Sequence, residues 1–511
     1  MSILSLLIVL PILAGFLFLV WKPRHKQARW TALFLNVLIL LGTLSLALKT
    51  RGASGFETME VVPWLPAIGL EYRLGVDGIS AVFLLLTGIV FTMAILVTSQ
   101  SALGDARYFG LLLLLEGGLL GTFTAQNFLH FFLFWEISLI PAFFIVRLYG
   151  GVHRAAASTQ FFIYTMVGSI AMLLGFLALF LATGTFDLQE LARSRPTSGY
   201  SALLAQRLNW AGLEANAVGS IVFLLAFLGV AVKVPIWPLH SWLPITYTQA
   251  PTPATMVLTG VMSKMGVYGL IRLILPIFPE QVERWRTPLL ALAIITILYG
   301  ALAAFAQRDI KRLFAYSSLS HLGYCFLGVF AASHAGVPGM ENERAAAING
   351  VLLQVLSHGI IAAALFAFVA FLERRTSGTL EYENFGGLRK VNPQFAGLMG
   401  IAVFSSLGLP GLSGFPAEFL IFKGSFPLAP AASAFAVLGL LFTAVYLLTF
   451  YGRVFLGPLN ANRAENADLT ASERAVVIPA IAISFALGIA PQLLLAICNP
   501  AVTALVQQIR F

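Results

Sequence analysis

Windows of about 20 apolar residues, the length that crosses roughly 30 Å of hydrocarbon, begin at Ser2 and recur to the C-terminus. No soluble fold accommodates so many. Of 511 residues 59% are hydrophobic and only 10% charged, against about 25% charged in soluble domains. The predicted class is an all-α polytopic membrane protein of about fourteen transmembrane helices. The spans lie near residues 2–21, 30–49, 78–98, 108–125, 127–149, 159–184, 218–248, 251–275, 286–306, 313–332, 345–372, 394–422, 431–456 and 472–496. The first is read as a helix and not a signal peptide, because Lys22, Arg24, Lys26 and Arg29 follow its apolar run instead of preceding it. The longest polar stretches, 49–77, 186–216 and 373–393, read as loops too short to build a core of their own, so the chemistry is expected inside the membrane.

Basic residues gather after odd-numbered spans: the cluster up to Arg29, then Arg147 and Arg154, then Arg308, Lys311 and Arg312, then Arg374, Arg375, Arg389 and Lys390. The positive-inside rule turns those loops to the cytoplasm or its equivalent and both termini to the opposite side. The net charge of +9 resides largely in these loops, and the soluble basic face that nucleic-acid binding needs is absent. Cys325 and Cys498 sit in apolar context without metal or disulfide spacing and read as packing residues. No HExxH, CxxC cluster, P-loop or dinucleotide fingerprint is present, so neither a metal nor a bound redox cofactor is expected on this chain.

Two spans cannot be continuous helices. LGVAVKVPIWPLHSWLPITYTQAPTPATMVLTG carries Pro235, Pro238, Pro244, Pro251 and Pro253, and SSLGLPGLSGFPAEFLIF carries Gly408, Pro410, Gly411, Gly414 and Pro416. Interior prolines remove a backbone donor and clash with the preceding turn, and broken backbone at membrane depth is tolerated only against protein or a water-filled cavity. Corresponding interruptions in two halves point to inverted repeats with a site near the midplane. The expected organisation is spans 1–3 in residues 1–107, a first five-helix repeat in 108–275 with span 7 broken, a second in 286–456 with span 12 broken, and span 14 in 472–511. The competing reading of the prolines is kinked packing helices.

Ionisable residues stand beside these breaks. Glu136 interrupts NFLHFFLFWEISLIPAFFIVRLY, where a carboxylate near the bilayer centre costs about 2.5–3.5 kcal/mol on insertion scales and normally faces a partner inside the protein. Lys233 is the expected partner. One close opposite charge supplies roughly 1–4 kcal/mol of proton affinity, which covers the about 2.3 kcal/mol needed to move one charge across 100 mV; making and breaking such a pair therefore suffices to drive a proton. Lys264, in TMVLTGVMSKMGVYGLIRL, is too deep to snorkel and is a candidate relay or storage site. Glu418, just after the second break, is a candidate terminus that exchanges protons with the outer compartment. His240, His321 and His358 are candidate connectors, because imidazole both donates and accepts near neutral pH. Glu116, in LLLLLEGGLLGTF, is a further candidate relay, with a link to a neighbouring subunit as one role for it. For each, the structural alternative is a static ion pair, a helix cap or a satisfied core residue.

Taken together, FFLFWEISLIP around Glu136, KVPIWPLHSWLP from Lys233, SKMGVYGLIR around Lys264, FAQRDIKRLFAYSSLSHLGY from Phe305 and LGLPGLSGFPAEFLIF around Glu418 resemble the antiporter-like proton-pumping subunits of respiratory complex I, in the NuoM/NdhD (chain 4) branch. The resemblance covers nearly the whole chain. It implies a fourteen-helix membrane-arm subunit without redox centres, which moves protons while distant subunits pass electrons from NAD(P)H or ferredoxin to a quinone. Its partners would be other membrane-arm subunits, antiporter-like ones included, together with lipids, in a bacterial inner membrane or a thylakoid. It also implies that Glu136 and Lys233 are the ion pair of the fifth and seventh helices, Lys264 the eighth-helix lysine and Glu418 the acid of the twelfth. A glutamate at that last position, and a chain that stops after the fourteenth span without a lateral helix, favour this branch over the largest antiporter-like subunit.

After HSWLP the family usually continues with an acidic, histidine-containing segment like DAHxEAP, where this chain has Ile245, Tyr247 and Gln249. That departure is compatible with a specialised variant complex, such as photosynthetic forms tied to inorganic carbon uptake. The alternatives are an Mrp-type sodium/proton antiporter subunit, which shares the ancestry, and a scaffold subunit that does not pump.

Overall fold

Apolar runs of spanning length produce thirteen helices long and apolar enough to cross a membrane among the described residues. They are α1 (Ile3–Trp21), α2 (His25–Lys49), α3 (Gly78–Val97), α4 (Ala106–Thr124), α5 (Phe128–Tyr149), α6 (Arg154–Thr183), α7 (Ala215–Lys233), which the short α8 (Trp242–Gln249) follows, α9 (Thr252–Ile277), α10 (Arg286–Phe305), α11 (Ile310–Ala332), α12 (Glu341–Arg375) and, after the pair α13 (Pro393–Ser406) and α14 (Gly414–Leu428), α15 (Pro430–Phe455) and α16 (Ala471–Ile489). The α13/α14 pair supplies the fourteenth crossing in two pieces. This computed structural model describes residues 2–21, 23–65, 70–98, 105–196, 199–210, 212–334, 339–463 and 465–509; Lys22 of the first basic cluster lies outside them.

The breaks fall where the prolines and glycines demand. α7 stops at Lys233 and helix resumes at Trp242, and α13 stops at Ser406 with helix resuming at Gly414. Gly408, in the second break, adopts φ +72°, and a Cβ there would lie 2.5 Å from Glu418 Oε2, so this turn requires glycine. α4 lies along α5 as α10 lies along α11, and α6 lies along α7 as α12 lies along α14. The same neighbour relations thus recur in the two sets of spans. α9, α11 and α12 are almost wholly enclosed, whereas α1, α2, α15 and α16 turn broad apolar faces outward, as helices in contact with lipid or other subunits must.

Two features depart from the sequence reading. The 49–77 segment contains an antiparallel hairpin, β1 (Thr58–Leu65) and β2 (Leu70–Val76). It is tied to α1 by Ser5 Oγ donating to Glu60 Oε2 at 2.6 Å, and to the loop after α6 by Arg73 bonding Asp187 at 2.6 Å. The last span, expected to run through residue 496, ends at Ile489, because Ala490 leaves helical geometry and Pro491 begins a new helix, α17 (Gln492–Gln508). α17 lies across one end of the bundle. Ala496 O accepts from Gly52 N at 2.9 Å, and Ile509 O accepts from Arg344 at 3.1 Å, so both ends of α17 touch the face where α2 ends and α12 begins.

Candidate proton-transfer site

α9 brings the first buried amine into place through a local widening of its own helix. Leu258–Met262 forms a π-helical turn, with Ser263 N donating to Leu258 O at 3.0 Å, and such turns free backbone groups at functional sites. The Thr259 carbonyl accepts from both Ser263 Oγ and the Lys264 amine. Across the interface α9 meets α12 at two glycines: a Cβ on Gly359 would lie 2.9 Å from Gly260 O, and one on Gly260 3.2 Å from Gly359 O. Small residues allow this close backbone approach between membrane helices. As a result Lys264 Nζ comes within 2.8 Å of Nδ1 of His358.

From His358 the polar groups continue on separate helices. The His358 and His321 rings lie 5.1 Å apart between centroids, and Gln354 Nε2 lies 3.4 Å from His321 Nδ1. The same nitrogen of His321 is 3.6 Å from Glu418 Oε1. All of these side chains are buried. His321, Gln354, Ser357, His358, Ser405 and Glu418 share a cavity with about 10 Å³ open to water centres, close to the smallest space that holds one water. Lys264, His358, His321 and Glu418 thus form a connected line across α9, α12, α11 and α14.

The expected Glu136–Lys233 ion pair is not closed. The Lys233 amine, at the last residue of α7, sits 5.1 Å from the ring centroid of Trp135, and Trp135 is itself held by its Nε1 donating to Ser169 Oγ at 3.0 Å. Glu136 is near enough for its charge to act on Lys233, yet neither the Lys233 amine nor the buried Glu136 Oε1 has a hydrogen-bond partner. The indole face takes the cation instead, a contact worth about 2 kcal/mol or more when desolvated. Val234 packs directly on the backbone at Gly266, so the end of α7 abuts the turn of α9 that carries Lys264.

The other candidates stand apart from this line. Glu116 is fully buried, with Oε1 accepting from Asn36 Nδ2 at 2.5 Å and Asn36 Oδ1 accepting in turn from Thr92 Oγ1 at 2.5 Å. It is enclosed by α2, α3 and α4, away from the surface where a link to a neighbouring subunit would put it. His240 is buried in the first break, edge-on to Tyr299 at 4.9 Å, and its Nδ1 is unpartnered. His130 lies under the hairpin between Trp64 and Tyr72, and Cys325 and Cys498 are buried, free thiols.

Sequence reasoning passed over three further groups. Ser357, Ser405, Ser413 and Ser484 form a hydroxyl cluster at the second break. Lys311 bridges Ala250 O at 2.8 Å and Glu373 at 3.2 Å, and Thr252 joins Glu373 at 2.5 Å, which fastens the α8–α9 junction to α11 and α12. Arg272 pairs with Asp77 at the start of α3 beside a cavity of about 380 Å³. Arg272, Lys311 and Glu373 were readable as charges in or near spans, but nothing in their spacing announced their partners.

Residues 125–445 match the family described as NADH:quinone oxidoreductase/Mrp antiporter, transmembrane. NADH-quinone oxidoreductase subunit M of Rhodobacter capsulatus is 35% identical over 99% of this chain and 96% of its own length. NAD(P)H-quinone oxidoreductase chain 4 of Synechococcus elongatus is 36% identical over 99% and 91%. A chain in the structure of respiratory complex I from Thermus thermophilus with bound NADH superposes with a TM-score of 0.85 at 32% identity, covering all of both chains.

Proposed function

Because the chain belongs to the NADH:quinone oxidoreductase/Mrp antiporter transmembrane family, we propose that it is the proton-translocating, subunit M or chain 4 type component of a quinone oxidoreductase membrane arm. Redox chemistry belongs to other subunits of that enzyme; this chain moves protons. NAD(P)H or ferredoxin, and a quinone, serve the assembled complex, and neighbouring membrane subunits cover part of its outward apolar faces. The N-terminus and the hairpin side face the non-cytoplasmic compartment, since Arg29, Arg154, Arg312 and Arg375 lie at the opposite end of the bundle.

The observation that carries this reading is the line from Lys264 through His358 and His321 to Glu418, built by four separate helices. In the proposed cycle Lys264 gives its proton to Nδ1 of a neutral His358, and His321, in a cavity with room for about one water, passes a proton on to Glu418. Lys233 acts on this line by position. Over Trp135 it is withdrawn from Glu136, and swinging onto Glu136 it would neutralise that carboxylate. A single such change of partner provides roughly 1–4 kcal/mol.

The test is to purify the intact complex, reconstitute it in proteoliposomes and follow proton uptake driven by NADH or ferredoxin and quinone. Uptake coupled to quinone reduction and indifferent to sodium supports the assignment. Sodium-dependent exchange without a co-purifying quinone reductase would instead assign the chain to the Mrp side of the same family.

A further inference from the structure

The π-helical turn that carries Thr259 is held from outside its own helix. Leu258 O accepts from Ser263 N at 3.0 Å and also from the Tyr247 hydroxyl at 3.0 Å. Tyr247 stands on α8, beyond the first break, and is fully buried, with its ring edge-on to Phe366 of α12 at 6.3 Å. Its own carbonyl accepts from Thr255 Oγ1 at 3.0 Å, so α8 and the first turns of α9 are bonded in both directions. On the other side Thr259 Oγ1 meets Ser318 Oγ of α11 at 2.9 Å. Tyr247 is also one of the three positions at which the chain departs from the DAHxEAP pattern. Gln249, another of them, turns to the loop before α6, where its Oε1 accepts from His153 N at 2.9 Å.

We propose that Tyr247 is a positioning residue for the proton-transfer line, its hydroxyl holding the turn in the register that leaves the Thr259 carbonyl open to the Lys264 amine. This deepens the proton-transfer reading and rests on it. A carbonyl oxygen has two lone pairs, so Leu258 O takes both donors. In ordinary α-helical bonding Ser263 N would donate four residues back, to Thr259 O. Here it reaches five residues back to Leu258 O, an arrangement that is rare because the α form competes with it. A side chain bonded into the backbone ladder is one of the few things that sustain such a departure. With the Ser263 amide engaged on Leu258, Thr259 O accepts from Lys264 Nζ and Ser263 Oγ. Without the Tyr247 hydroxyl the amide is free to return to Thr259 O and compete with the amine. The titratable groups around that amine are His358 of α12, Cys325 of α11 and Lys233 of α7, whose neighbour Val234 packs on Gly266. Tyr247 acts on the line through the backbone and carries no proton itself.

Tyr247→Phe keeps the ring and removes only the hydroxyl. In the intact complex reconstituted in proteoliposomes it should lower proton transport by about tenfold with assembly unchanged. The pH of half-maximal transport should move by about one unit, because the titrating amine loses its hold on the Thr259 carbonyl. A structure of the Tyr247→Phe complex should show Ser263 N bonded to Thr259 O. Tyr200→Phe is the control: it removes a bond of the same kind, from a buried hydroxyl to the Leu191 carbonyl at 2.7 Å, in the segment between α6 and α7, and should leave transport and its pH profile at wild type. Wild-type transport in Tyr247→Phe overturns the proposal. So does a loss of transport with an unmoved pH profile, a loss of equal size in Tyr200→Phe, or a failure of Tyr247→Phe to assemble, each of which makes the hydroxyl a matter of folding alone. Lys264→Met measured alongside keeps the two readings apart: if it abolishes transport while Tyr247→Phe pumps fully, only the role of Tyr247 falls, and if it pumps too, the proton-transfer reading falls with it.

Discussion

Lys264 Nζ lies 2.8 Å from Nδ1 of His358 because the helices that carry them cross at Gly260 and Gly359. The contact is therefore a property of two glycines as much as of the two titratable groups. A Cβ at position 359 would also meet Leu86 Cδ1 at 2.6 Å, so Gly359→Val should separate α9 from α12 and destabilise the chain by about 1–3 kcal/mol. Thermal unfolding of the purified complex measures the second effect. Proton transport should fall further than quinone reduction does, because the relay contact is broken while the redox subunits are untouched.

His358 is the bridge between amine and acid. His358→Ala should reduce proton transport by about a hundredfold in an assembled complex, whereas His321→Ala, which enlarges a cavity already close to the size of one water, should reduce it less. Initial rates of proton uptake in proteoliposomes, normalised to quinone reduced, give the comparison.

Glu136 and Lys233 are close without touching, so each is expected to act through its charge and not by holding helices together. Glu136→Gln and Lys233→Met should both assemble and both lose most transport. A static structural pair would show the reverse pattern, poor assembly with normal transport per assembled complex, and quantifying the complex on native gels alongside uptake distinguishes them.

Glu116 is enclosed with Asn36 and Thr92 and stands off the Lys264–Glu418 line. Glu116→Ala strands the buried Asn36 donor and should cost about 1–3 kcal/mol of stability, visible as a lowered melting temperature. Glu116→Gln keeps a bonding partner and should leave both stability and transport near wild type.

The spans, the two breaks and the positions of Lys233, Lys264 and Glu418 were legible because membrane insertion makes a charge or a proline conspicuous in an apolar run. Which charges meet was less so. Nothing in the spacing told that Trp135, and not Glu136, holds the Lys233 amine, since cation–π contacts have no sequence period. His240, His321 and His358 were all candidate connectors, and the sequence could not say which of them meet the charged groups; the Gly260–Gly359 crossing sets His358 beside Lys264, while His321 lies beside Glu418 and His240 stands apart. The serine cluster stayed hidden because a lone serine in a span commonly bonds back to its own helix, and only tertiary packing sets four side by side. The hairpin and α17 were missed for a different reason: 49–77 is short and polar, and apolar α17 continues the last span across Pro491 without a change in composition.

The most direct measurement is the number of protons moved per electron by a complex carrying Lys264→Met, read from simultaneous uptake and quinone reduction in proteoliposomes. A fall in that ratio with the complex intact is the expected result. An unchanged ratio, with electron transfer at the wild-type rate, would contradict a proton path through Lys264 and His358.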